Sequence, residues 1–399
     1  MKLLIKILIA SSLLSCSHGQ MADSGQSLHA ANTNEWAQAD RNVALERRTI
    51  VQAEGEALLS ETENACNPIP SPDGSMIAYV RTGRWEKGSG GLGRSNLRSE
   101  VMVMSSDGRL LTKEPLADTF LAGWSPDGRS LICQRDYQAF LISLEGLKSR
   151  QVQIPHSDFI TPERVAYLPA FDALAWIQNG FSDSANPGPH NHSATIKTAN
   201  KEIATTNSHV GDMLVPSPDG RYIAAIDVNN WSEKTLWVYD TQANSWANLG
   251  KANVHPNNVE WDWTKATWDP WFRDSSRLSF VSDQSIVVST PDGKRRQEIA
   301  GVRDCLGLAT PSPDGQLIAY VTFNAKLNKE QPQGTFWGNT TIWVVPAVPG
   351  ATPRAVTKTS PETTYGLRWL DSGALVFDRF SEGSAYSARH RLWKVIVGR

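Results

Sequence analysis

One tetrapeptide, Ser-Pro-Asp-Gly, stands four times in this chain, at 71–74, 125–128, 217–220 and 312–315. Its composition is that of a tight reversal. Proline presets φ for the first corner, the aspartate accepts from a nearby backbone amide, and glycine takes the left-handed corner at no steric cost. Two residues after each copy comes an apolar run: Ile77-Ala78-Tyr79-Val80, Leu131-Ile132-Cys133, Ile223-Ala224-Ala225-Ile226 and Ile318-Ala319-Tyr320-Val321. The copies are 54, 92 and 95 residues apart, so two gaps are about double and demand degenerate copies between them. Leu168-Pro169-Ala170-Phe171 precedes Leu174-Ala175-Trp176-Ile177, and Phe272-Arg273-Asp274-Ser275 precedes Leu278-Ser279-Phe280-Val281. A last copy, Trp369-Leu370-Asp371-Ser372, precedes Leu375-Val376-Phe377. Seven turns thus recur at a mean spacing of about 50 residues, within the range of a four-stranded propeller blade.

Each unit supplies further strands. Thr235–Tyr239 and Thr341–Val345 read as third strands, and Arg109–Thr112 and Arg295–Ile299 as fourth strands. The expected fold is all-β: a propeller of four-stranded blades, seven rather than six. The seventh unit ends at its third strand, Leu392–Val397, and Arg48–Gln52 reads as a strand ahead of the first blade. An open ring would expose two sheet edges, so Arg48–Gln52 is expected to complete the last blade. The turn followed by an Ala-Tyr-Val strand and then a Leu/Ile-Trp-Val strand resembles the WD-like blades of TolB-type β-propellers, over roughly residues 60 to 399. TolB itself carries an α/β domain that has no counterpart in these units. The propeller is assigned residues 47–399, with the Asp and Gly of each turn (Asp73, Gly74, Asp127, Gly128, Asp219, Gly220, Asp314, Gly315) as structural residues.

The N-terminus reads as an address. Lys2 and Lys6 precede an apolar stretch from Leu3 to Leu14, too short to span a bilayer but of signal-peptide length. It ends in Leu13-Leu14-Ser15-Cys16, which resembles the lipobox of bacterial lipoproteins. That resemblance implies a signal peptide over 1–15, lipid attachment at Cys16 and a polar tether over 16–46. Ser17 in place of Asp favours the outer membrane in a Gram-negative envelope. Three cysteines then remain, Cys66, Cys133 and Cys305; Cys133 fits a strand core, and Cys66 and Cys305 hold similar places in two repeats, leaving a bridge between them open.

Charge excludes one class of partner. The chain has 39 Lys and Arg against 41 Asp and Glu, a net charge of −2, so no basic field argues for nucleic acid. Binding residues are sought instead in the long insertions at 81–99, 178–192, 251–265, 323–340 and 379–389, which propeller geometry gathers at the face opposite the tetrapeptide turns. Candidates there are Arg84, Trp85, Arg94 and Arg98 in the first insertion, Trp261 and Trp263 in the third, and Trp337 in the fourth. Exposed tryptophans can stack on sugars or anchor peptides. Gly88–Gly93 matches GxGxxG, but no βαβ context accompanies it.

His190, His192, His209 and His255 make a metal site conceivable, as in the oligogalacturonate lyases of this general type, although their spacing is not diagnostic. No GxSxG or HExxH motif occurs. The reading is a non-catalytic, lipid-anchored envelope module without cofactor. Its partner is an envelope protein or peptide, with cell-wall glycan as a further candidate. The alternative is a carbohydrate-active enzyme such as a metal-assisted polysaccharide lyase.

Overall fold

The computed structural model describes residues 56–59, 64–82, 99–112, 119–135, 138–145, 149–152, 165–180, 193–206, 210–230, 233–252, 269–305, 309–324, 338–370, 373–380 and 390–397. They lie in one compact unit, Ala53–Arg399. Cys16, the tether and the expected closing segment Arg48–Gln52 fall outside them.

Strand β1 (Glu56–Leu58) comes first and is used last. Blade 1 holds β2 (Ala65–Pro70), β3 (Met76–Thr82) and β4 (Ser99–Ser105). Blade 2 holds β5 (Phe120–Trp124), β6 (Ser130–Arg135), β7 (Gln138–Ser143) and β8 (Ser149–Val152). Blade 3 holds β9 (Val165–Leu168), β10 (Ala173–Gly180), β11 (Ser193–Thr198) and β12 (Lys201–Thr206). Blade 4 holds β13 (Val210–Pro216), β14 (Tyr222–Asn230), β15 (Glu233–Asp240) and β16 (Ser245–Lys251). Blade 5 is β17 (Leu278–Ser282), β18 (Ser285–Ser289) and β19 (Arg296–Gly301). Blade 6 is β20 (Thr310–Pro311), β21 (Leu317–Phe323), β22 (Thr340–Pro346) and β23 (Arg354–Ala355). Blade 7 is β24 (Thr363–Trp369), β25 (Ala374–Phe380) and β26 (His390–Ile396), with β1 on its outer edge.

All pairings are antiparallel. The two three-stranded blades keep a remnant of the missing strand: Leu110 bridges Met104 in blade 1, and Trp271 bridges Leu278 in blade 5. Arg109–Thr112 is therefore a bridge rather than the full fourth strand its sequence suggests.

Strand alternation explains the ring. In β3, Ala78 and Val80 pack with Leu121 and Leu131 of blade 2, whereas Ile77 and Tyr79 pack with Val376 and Leu392 of blade 7. Successive side chains point to opposite faces of a sheet, so one strand feeds two interfaces. Seven apolar clusters result among the described residues, one for each junction between neighbouring blades, including that between 7 and 1. A fully buried large aliphatic or aromatic side chain contributes ~1.5–3 kcal/mol, and Ile77, Leu131, Ile223, Phe280 and Phe377 are among those sealed from solvent.

The tetrapeptide turns have the expected geometry. Gly74, Gly128, Gly220 and Gly315 take φ of 71°, 67°, 72° and 70°. In each, the serine hydroxyl donates to the aspartate two residues on, at 2.6, 2.5, 2.6 and 2.6 Å. Two degenerate copies sit one residue later than their sequence suggests. The left-handed residue is Asp172 (φ 46°) in blade 3, whose N–H returns to Pro169, and Gly373 (φ 77°) in blade 7. The turns therefore begin at 169 and 370. A further copy, Thr290-Pro291-Asp292-Gly293, closes the other hairpin of blade 5, with Thr290 donating to Asp292 at 2.6 Å. Tryptophans just ahead of three turns tie neighbouring blades together. Trp124, Trp271 and Trp369 donate their indole N–H to Ile69, Val215 and Thr310 carbonyls of the preceding blade at 2.8, 3.0 and 2.9 Å.

One expectation is corrected, and one question that the sequence left open is answered. The ring is closed from the N-terminal side, but by β1: Glu56, Ala57 and Leu58 stand opposite Val395, Lys394 and Trp393. The closing strand thus lies four residues beyond the end of Arg48–Gln52. No disulfide joins Cys66 to Cys305; they belong to different clusters, Cys66 between blades 1 and 2 and Cys305 against the core between blades 5 and 6. Cys133 is a core residue, fully buried.

Candidate functional site

The two ends of the ring differ. Because strands alternate in direction, the first-to-second and third-to-fourth connections of every blade leave from one end, and the longest of these, 347–353, has seven residues. At this end the turns touch one another. A Cβ on Gly220 would lie 2.7 Å from the Ala170 nitrogen, one on Gly315 3.2 Å from Phe272, and one on Gly128 3.5 Å from Pro72. Asp219 N–H donates to Ser275 Oγ at 3.0 Å. Arg273 of blade 5 donates across to the Pro72 carbonyl of blade 1 at 3.1 Å. Those blades are not neighbours, so at this end the ring narrows to the reach of one arginine side chain.

The opposite end carries the long connections: 83–98 between β3 and β4, 181–192 between β10 and β11, the stretch after β16, 324–339 between β21 and β22, and 381–389 between β25 and β26. This is the face expected from the sequence. Arg84, Trp85, Arg94, Arg98, Trp261, Trp263, Trp337, His190, His192, His209 and His255 all fall outside the described residues. Among the described residues, no group of three His, Cys, Asp or Glu is placed to hold a metal ion.

What the structure does place at this face is a polar layer in blade 7, built from strand ends. Strand β25 finishes in Asp378-Arg379-Phe380, β26 starts at His390 and β24 starts at Thr363. Arg379 and Glu56 form a two-pronged pair, Nη1 to Oε2 and Nη2 to Oε1 at 3.1 Å each, with both side chains 5% exposed. The guanidinium also lies 4.9 Å from the Phe377 ring centre and 5.5 Å from that of Trp393. Its Nε–H points to Thr364 Oγ1 at 3.4 Å, and Thr364 shares a 2.8 Å hydrogen bond with Thr340 Oγ1 of blade 6. Thr340 in turn donates to the Glu362 carbonyl at 2.7 Å. A relay of hydroxyls thus runs from the closing strand across the junction of blades 6 and 7. Burial pushes the Glu362 carboxyl upward, opposed by Arg379 and Arg391.

The other face of blade 7 carries a second buried pair, His390 Nδ1 with Asp378 Oδ2 at 3.2 Å. Gly366, at φ 59°, lets Asp378 and Pro68 approach; a Cβ there would lie 2.5 Å from Asp378 Oδ1. A further buried charge sits on the inner strand of blade 7, Arg368 of β24. Burial holds Arg368 down to about 10, partly offset by Asp269.

None of these residues was a sequence candidate. A signal was present, since Asp378-Arg379 follows Leu375-Val376-Phe377 directly and puts two charges inside a strand. Its partner Glu56 is 323 residues away, beyond any local pattern.

No family model and no curated protein sequence matches the chain. Solved structures do. An oligogalacturonate lyase in complex with manganese is similar over 88% of this chain and 95% of its own, at TM-score 0.54 and 12% identity. An acylaminoacyl peptidase from Pyrococcus horikoshii matches over 85% of this chain at TM-score 0.53 and 11% identity. The chain spans about half of that peptidase, 53% of its length. A structure described as a putative TolB from Agrobacterium tumefaciens is similar over 74% of this chain and 94% of its own, at TM-score 0.41 and 12% identity. At such identities the likeness is one of fold alone, and the fold of this chain is a seven-bladed all-β propeller.

Proposed function

We propose that this chain is a lipid-anchored propeller of the bacterial cell envelope that binds a protein or peptide segment at its long-loop face, without catalysis. One observation carries the reading: long connections gather at one end of the ring, while the other end is drawn together by short, mutually packed turns. Rigid scaffolds that vary only in the loops of one face use that face for recognition. The arginines and tryptophans of the insertions, Arg84, Arg94, Arg98, Trp85, Trp261, Trp263 and Trp337, suit a partner with acidic and apolar groups, since desolvated Trp and Arg dominate binding energies. Cys16, behind its apolar leader, supplies the anchor.

Two measurements test this. A photo-crosslinking residue in place of Trp263 or Arg94, in intact cells, is expected to capture a discrete protein partner, and the same residue in place of Asp73 is not. Equal capture from both faces, or capture of lipid alone, overturns the binding role. Cys16→Ser is expected to abolish acyl labelling and release the protein from the membrane fraction. Retention of both overturns the anchor.

A further inference from the structure

The strand that closes the ring is short, and the ion pair that seats it is deep. Strand β1 has three residues, and the Leu59 N–H beyond it donates to the Leu392 carbonyl at 2.9 Å. Leu59 packs with Leu370 and Leu392. So small a segment can leave its place at a fraction of the free energy of global unfolding. Its departure would not be a local event. Arg379 is sealed from water, and a buried guanidinium that loses its carboxylate is strongly unfavourable. The side chain would have to leave the Phe377 and Trp393 rings and reach solvent, giving up Thr364. The Thr364–Thr340 hydrogen bond and the Thr340 donation to Glu362 join blade 7 to blade 6 at the loop face. Beside them the Thr340 and Ser360 amides exchange paired backbone hydrogen bonds at 2.8 Å. Among the described residues, Glu362 and Arg391 are further charged groups beside this pair, Arg379, Arg391 and Glu56 all acting on the Glu362 carboxyl.

We infer that β1 is a releasable clasp whose seating is coupled to the loop-face ends of blades 6 and 7 through the Glu56–Arg379 pair. Coupling of this kind is reciprocal: a ligand that stabilises the loop-face ends of the two blades makes release of the clasp rarer. The inference rests on the geometry of blade 7 and does not require the proposed partner.

The test is residue-resolved amide hydrogen exchange on the full chain. In Glu56→Gln, exchange of the Leu59 amide is expected to rise tenfold or more, and the Thr340 and Ser360 amides to rise with it, while the Ile223 and Leu236 amides of blade 4 stay as they were. A Leu59 amide that accelerates alone, or one that does not accelerate, overturns the coupling. So does a uniform rise in every blade. A second variant guards against misfolding of the first. Ala57 and Lys394 stand opposite each other, so Ala57→Cys with Lys394→Cys allows a cross-strand disulfide. Oxidation is expected to slow exchange at Leu59, Thr340 and Ser360 tenfold or more relative to the reduced form of the same variant. Slowing confined to Leu59, or none, overturns the inference.

Discussion

Gly220 and Gly350 offer a matched pair for testing how the turns hold the ring. Their φ angles are 72° and 73°, so replacement by alanine brings the same left-handed strain to each, ~1–2 kcal/mol. Their surroundings differ. A Cβ on Gly350 meets nothing within 4 Å, whereas one on Gly220 lies 2.7 Å from the Ala170 nitrogen and 2.9 Å from Pro169 Cβ. The Ala170 obstacle is backbone of the preceding blade and cannot swing aside as a flexible side chain would. Overpacking of this kind costs a further ~1–3 kcal/mol. Gly350→Ala is therefore expected to lower stability by about 1–2 kcal/mol, and Gly220→Ala by about 2–5 kcal/mol. Urea unfolding of the two variants beside the parent, followed by tryptophan fluorescence, gives both values under one set of conditions. Hydrogen exchange should place the extra loss of Gly220→Ala at the junction of blades 3 and 4. Equal losses in the two variants would refute the idea that neighbouring turns lock blade against blade.

Other outcomes follow from the same structure. Donation from Ser71, Ser125 and Thr290 hydroxyls holds the Asp73, Asp127 and Asp292 carboxyls below the usual carboxylate range. A depressed folded value stabilises above the unfolded value of about 3.9 and loses that contribution as pH falls through the folded one. The urea midpoint is expected to stay level from about pH 7 to 5 and to fall below about pH 4, with a shallower fall in Asp127→Asn; an identical acid slope in that variant contradicts the assignment. These carboxylates are largely exposed, so solvent keeps each contribution small. Trp369→Phe keeps an aromatic ring but leaves the buried Thr310 carbonyl without its indole donor. The expected loss is ~1–3 kcal/mol by urea unfolding, and a loss below about 0.5 kcal/mol would show that the bond between blades carries little.

How much of this was legible in the chain depended on range. Period-two alternation in Ile77-Ala78-Tyr79-Val80 is a property of four adjacent residues, and the structure divides it between two interfaces as a pleated strand must. The tetrapeptide turns are equally local, because hydroxyl, carboxylate and left-handed glycine lie within four residues of one another. Two of the three degenerate copies lie one residue later than the tetrapeptide alignment for a definite reason, whereas the blade 5 copy keeps its place with Ser275 at φ 58°. The left-handed residue sets the register, and in blades 3 and 7 it is Asp172 and Gly373, each one position beyond where the tetrapeptide was aligned.

Blade number, turn chemistry and the face that bears the insertions were therefore written in the linear chain, since each follows from contacts between near neighbours repeated seven times. Which strand closes the ring, and where charge is buried, was not. Arg48–Gln52 has the more strand-like composition, yet Glu56–Leu58 takes the position, with Glu56 matching a guanidinium 323 residues distant. Only folding brings those groups together, and a buried Arg379 left without its carboxylate is strongly unfavourable, which outweighs the weak intrinsic preference of a three-residue strand.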